Sequence, residues 1–275
     1  MSPQITNFIY ASAAAVVPGL LILYYIVKRD KFPEPPRVVI TTLFLGFGII
    51  LPINFFIPII EGFGAGMHKT VIAEDFYQAF IRASFLEETM KFLIIIYYCL
   101  HLDEFDEPID ALIYGVAASL GFAIYENWQY VINALNSSGY AEANFVAIVR
   151  TFSALLLHTL AGIMMGFFVM DAVFHPKNRK INLTLAIAFP VYFHGFYDFI
   201  LFSKSISDWW IYILIIIFLI RVYFIFKEQI RSQNEIKNKD KKYLKVLPHN
   251  SDVIFSILAT LVSISIIYYL INFKI

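Results

Sequence analysis

Apolar residues in this chain fall in long unbroken runs and show no period-two alternation. Uncharged stretches run from Ile5 to Val27, from Val38 to Ile60 and from Val253 to Phe273. Five more, about 79–100, 110–134, 146–170, 183–202 and 209–226, are broken only by single polar residues. A bilayer core needs about 20 apolar residues per helical crossing. The pattern therefore predicts an all-α polytopic transmembrane helical bundle of about eight spans. Barrel strands would be shorter and would alternate.

Composition sharpens this picture. Of 275 residues, 59% are hydrophobic and only 15% charged, against roughly 25% charged in an average soluble domain. There is too little polar surface for a water-soluble globule. We read residues 1–275 as a single integral membrane domain with no room for a large separate one. Lys+Arg and Asp+Glu both total 21, so no basic excess points to nucleic acid. Cys99 is the only cysteine, which excludes an internal disulfide and cysteine-based metal knuckles.

The charges at the span ends set an orientation. The first apolar run lacks a basic leader and is followed at once by Lys28-Arg29-Asp30-Lys31, so it reads as a retained helix rather than a secretion signal. With the N-terminus outside, the cytoplasmic loops carry Lys28, Arg29, Lys31 and Arg37, then Lys177, Arg179 and Lys180. The last of them carries Lys227, Arg231, Lys237, Lys239, Lys241, Lys242 and Lys245. The other side holds only Lys69, Lys204 and Lys274. This bias predicts extracytoplasmic N- and C-termini. The basic cytoplasmic loop, 227–252, reads as a solvated connector, and Gly62–Gly66 as a turn between the second and third spans.

Charges at mid-bilayer cost on the order of 2.5–3.5 kcal/mol each on insertion scales, so those inside spans need a reason. Four consecutive spans carry them: Glu87, Glu88 and Lys91; Glu126; His158; His194 and Asp198. Lys91 lies one turn from both glutamates and can neutralise one of them. Asp198, one turn from His194, can fix which ring nitrogen that histidine presents. At 1.5 Å per residue, Glu87, Glu126 and His194 sit roughly 12 Å below the outer boundary and His158 roughly 18 Å. One buried site in the outer half of the bilayer would produce this agreement, and 79–202 would then be a four-helix catalytic core. Arg82 and Arg150, near span ends, read as residues reaching for the interface.

A buried carboxylate suits general-base activation of water, and histidine suits an oxyanion donor or a metal ligand. Hydrolysis of an amide inside the membrane fits these parts. A proton-coupled transporter or a non-catalytic binding scaffold fits them as well.

The motifs carry a resemblance. Glu87-Glu88-Thr89-Met90-Lys91 is EExxK, Phe122 to Glu126 is FxxxE, His158 follows on the next span, and His194 to Asp198 is HxxxD. Over about residues 80–200 this resembles the PrsW family of intramembrane proteases, and more distantly the type II CAAX prenyl endopeptidases. The resemblance implies an endopeptidase acting on membrane-anchored protein substrates, with site-1 cleavage of an anti-sigma factor as the family's association. It implies that Glu87 or Glu88 activates water, that Glu126 and His158 complete the site, and that His194, oriented by Asp198, polarises the scissile carbonyl. It leaves zinc open as a cofactor, with Glu126, His158 and His194 as its ligands. The partners it implies are the substrate and the lipid bilayer.

Overall fold

The computed structural model describes residues 2–203, 206–235 and 243–274, and these form a bundle of helices. In chain order these are α1 (Pro3–Val27), α2 (Pro36–Gly48), α3 (Ile50–Gly64) and α4 (Val71–Phe76). A π-helical stretch (Tyr77–Phe85) then leads without a break into α5 (Leu86–Tyr97). There follow α6 (Pro108–Ser138), α7 (Tyr140–Phe152), α8 (Ala154–Phe174), α9 (Arg179–Phe202), α10 (Trp209–Glu235) and α11 (Asn250–Lys274).

Among the described residues, seven helical segments are long and apolar enough to cross a membrane. The run 71–97 is as long as the others but carries Glu74, Asp75, Arg82, Glu87, Glu88 and Lys91, which keeps it out of that apolar set. The protein is thus a multi-pass integral membrane protein whose most polar helix is the one that brings the carboxylates to the centre.

Four boundaries differ from the hydropathy pattern, because apolar composition registers neither a local break nor the extension of a helix past its apolar run. The second run bends between α2 and α3 at Ile49. The fifth breaks at Ser153, between α7 and α8. The basic segment expected to be a connector from residue 227 instead continues α10 to Glu235. Its later part is tied back by Val246 N–H donating to Val173 O. Lys204 and the lysines at 237, 239, 241 and 242 lie outside the described residues. The expected glycine turn also starts late: α3 runs through Gly62 to Gly64 and turns only at Ala65 to Met67.

At the centre lies α6, packed on α1, α2, α7 and α8. Its start is fixed by Pro108 in the first turn and by a reciprocal cap between Glu107 and Asp110. Asp110 Oδ2 accepts the N–H groups of Asp106 and Glu107 at 3.0 and 2.6 Å. The α6–α8 contact is backbone against backbone. A Cβ on Gly115 would stand 2.3 Å from Gly162 O, and one on Gly162 would stand 2.5 Å from Gly115 O. Small residues at helix crossings are how membrane bundles gain packing contacts where lipid supplies no hydrophobic drive. This close approach brings His158 of α8 within reach of α5 and α6.

Inter-loop bonds group the helix ends into two sets. Gln233, near the end of α10, donates to Asp30 after α1 and to Glu107 before α6. At the opposite end, Lys69 N–H donates to Asn272 Oδ1 and Asn272 donates to Met67 O. Loops that alternate along the chain therefore share an end, as successive crossings require.

Candidate active site

The four polar spans converge on one buried cluster. Glu87, Glu88 and Lys91 come from α5, Glu126 from α6, His158 from α8, and His194 and Asp198 from α9. Glu88, Lys91, His158 and His194 are at most 3% exposed and Glu87 is 9% exposed. The side chains of Glu126, Asp198 and Glu87 are partly exposed, at 22%, 14% and 12%, so the cluster is reached from the side of these three residues.

Its pairing is specific. Lys91 Nζ donates to Glu88 Oε1 at 2.7 Å and to His158 Nδ1 at 3.2 Å, and lies 3.8 Å from Glu87 Oε2. His194 Nδ1 donates to Glu88 Oε1 at 2.9 Å, while its Nε2 lies 3.3 Å from Asp198 Oδ2. His158 Nε2 lies 3.3 Å from Glu126 Oε2. The two imidazoles meet edge to face, with centroids 4.8 Å apart. All seven residues singled out in the sequence belong to this one network.

Several members of the site were not singled out from the sequence. Arg150, expected to reach for the interface, instead turns inward. Its guanidinium donates to Glu126 Oε2 at 2.8 Å and to Asn127 Oδ1 at 3.1 Å. Pairing with a buried carboxylate outweighs solvation at the membrane surface. Asn127 is anchored in turn by donating to Ala15 O of α1. Arg82 is likewise paired, to Glu61 at 2.7 Å. Tyr197 donates to Ser153 Oγ at the α7–α8 break. The signal that could have found Asn127 is its type: an uncharged polar residue inside a span, next to Glu126.

Local backbone geometry supports the constellation. The π-helical turns immediately precede Glu87, a placement common at functional sites. Phe80, within them, lies against Gly195, where a Cβ would meet the ring at 2.4 Å. Gly195 therefore lets α9 seat His194 against α5.

Four residues, Glu87, Glu88, His158 and His194, each bring one donor atom within 4.8 Å of the others. Donor type and convergence suit a metal ion. Lys91 already faces Glu88 Oε1 and His158 Nδ1, and His194 spends its Nδ1 on Glu88, so part of this donor set is engaged within the cluster. Glu126 stands outside the converging four, held by Arg150. Two carboxylate oxygens remain buried without a partner, Glu87 Oε2 and Glu88 Oε2.

A helical membrane bundle enclosing clustered glutamates and histidines fits the class of intramembrane hydrolases, and the comparisons with known proteins decide for it. Residues 34–224 match the family described as PrsW family intramembrane metalloprotease. The chain is 33% identical over 204 residues to Protease PrsW of Bacillus subtilis (strain 168), covering 74% of this chain and 86% of that one. It is 32% identical over 195 residues to Protease PrsW of Geobacillus kaustophilus, covering 70% and 80%. For Protease PrsW of Oceanobacillus iheyensis the identity is 34% over 189 residues, covering 69% and 81%. No solved structure matches it. The chain belongs to the PrsW family and is an intramembrane protease, a peptide hydrolase of the bilayer.

Proposed function

We propose that Glu87 activates the water that hydrolyses a peptide bond of a membrane-anchored protein, without a metal ion. One observation carries this: each glutamate keeps one unpartnered buried oxygen, but no cation lies closer than 3.8 Å to Glu87, whereas Lys91 and His194 hold Glu88 at 2.7 and 2.9 Å. A base must take up the proton of the water, and close cations oppose that.

In this reading Glu87 takes a proton from water as the oxygen attacks the scissile carbonyl. The oxyanion is stabilised by the positive side of the cluster, Lys91 and His194. Carboxylates on both ring nitrogens suit His194 as a doubly protonated donor. The proton held on Glu87 then passes to the leaving amine, and the C–N bond breaks. Glu126, fixed by Arg150, orients His158, which in turn accepts from Lys91 and keeps it aimed at Glu88.

The substrate would present its bond from the extracytoplasmic side, as the Lys/Arg bias and the outer-half depth of the cluster support. Site-1 cleavage of a membrane-anchored anti-sigma factor is the substrate class the family resemblance favours. The test is cleavage of a single-pass reporter with an extracytoplasmic stub, in cells with wild-type or Glu87→Gln protein at matched levels. Loss of cleavage in the variant is expected. Equal cleavage by both would remove Glu87 from the chemistry.

A further inference from the structure

A second cluster of carboxylates lies far from the active site. Asp30 and Glu34 follow α1, Asp106 and Glu107 precede α6, and Asp110 sits in its first turn. Along α6, Asp110 is about 24 Å from Glu126. Glu34, Asp106 and Asp110 each bring one oxygen within 4.8 Å of the others. Asp30 and Glu34 are 7% and 8% exposed and Asp110 is 1% exposed. Burial, reinforced by the charges of Asp106 and Asp30, pushes the Glu34 carboxyl up to about 7.

Part of this cluster has an ordinary structural role. Asp110 Oδ2 caps α6, and Asp30 Oδ1 accepts from Phe32 N–H and Gln233. Two atoms are left over. Asp30 Oδ2 is buried without a hydrogen-bond partner, and the hydroxyl of fully buried Tyr114 faces Glu34 without a hydrogen bond of good geometry. Tyr114 stands one turn beyond Asp110 on the same face of α6, turned to Glu34 and Asp110. Lys245 is drawn toward Asp103, Asp106 and Asp110 but spends a hydrogen bond on Leu102 O.

We propose that Glu34, Asp106 and Asp110 bind a hard divalent cation of the Ca²⁺/Mg²⁺ class, with Asp30 Oδ2 and Tyr114 around it. All the donors are oxygens, the set that selects such ions over zinc. Oxygens about 2.3–2.6 Å from a Ca²⁺ ion lie up to about 5 Å apart, which matches their spread. The ion ties the segment after α1 to the start of α6 and, through Gln233, to the end of α10. It serves the fold and is separate from peptide hydrolysis.

The full-length protein in detergent, stripped with EDTA and dialysed, tests this. Tb³⁺, a Ca²⁺ surrogate, is followed by luminescence excited through tyrosine, and Ca²⁺ and Mg²⁺ by calorimetry. One saturable Tb³⁺ site displaced by Ca²⁺ is expected, with a higher thermal midpoint in Ca²⁺. Glu34→Gln and Asp106→Asn should weaken binding about tenfold or more, whereas Glu87→Gln should leave it unchanged. Asp106 is exposed, so its variant tests binding without disturbing the core. No saturable binding by folded wild type would overturn the proposal in favour of a proton shared by Glu34 and Asp110. Binding unchanged in both variants would overturn it too.

Discussion

Lys91 Nζ sits 2.7 Å from Glu88 Oε1 and 3.8 Å from Glu87 Oε2, so one lysine separates two adjacent glutamates into a paired and a spare carboxylate. Both pairs are compatible with helix spacing, and the choice between them assigns the two residues different work.

Glu87→Gln should lower cleavage by about 10²–10⁴-fold, the range for a lost general base, with an unchanged thermal midpoint. Glu88→Gln should lower both cleavage and stability, because it removes the negative charge that Lys91 and His194 share and leaves them a neutral amide acceptor. Reporter cleavage and thermal unfolding of the same purified samples separate the two effects. Equal behaviour of the two variants would contradict the division.

Removing Lys91 leaves the fully buried Glu88 carboxylate with His194 as its close partner and without its ammonium. Lys91→Met should cost about 3–5 kcal/mol, and Glu88→Leu added to it should recover part of that loss, since replacing both partners spares the uncompensated charge. Unfolding in mixed detergent reads the difference. A double variant less stable than the single one would argue that Glu88 is held mainly by His194.

Arg150→Met should reduce cleavage at least about tenfold by freeing Glu126, with Arg150→Lys intermediate because it keeps charge but not the fork that also reaches Asn127. In a Glu126→Gln background the Arg150→Met change should add little. Additive losses in that cycle would mean that the two residues act independently.

Gly195→Ala forces a methyl into the Phe80 ring and should cost about 1–3 kcal/mol of overpacking, displacing His194 and lowering cleavage. Phe80→Ala combined with it should be less impaired than the sum of the single variants. Kinetic assays of the four proteins of the cycle supply the coupling; strict additivity would place the contact elsewhere.

A zinc-selective chelator, applied in buffer with excess Ca²⁺, should leave cleavage intact, because Lys91 occupies the position a metal would need. Excess Ca²⁺ keeps the carboxylate site near Glu34 out of the result. Chelator-sensitive cleavage restored by added zinc would sink the metal-free mechanism and require Lys91 to move aside.

The run lengths of apolar residues were enough to predict an all-α membrane bundle, because a crossing helix must satisfy its backbone internally and be apolar for its full length. That the charged positions of four spans would meet was equally legible, because charges inside spans are costly unless they find one another and helical rise puts them at one level. Local pairs, Lys91 with one of the two glutamates and His194 with Asp198, follow from one-turn spacing. Tertiary structure decided the rest. Helices such as α8 are apolar on every side, so no periodicity reports how they are rotated. Which glutamate Lys91 would choose, and that Arg150 would turn in to Glu126, depend on that rotation. The breaks at Ile49 and Ser153 leave no trace in hydropathy. The union of Glu34 with Asp106 and Asp110 joins segments far apart in the chain, and the packing of α1 and α2 on α6 brings them together.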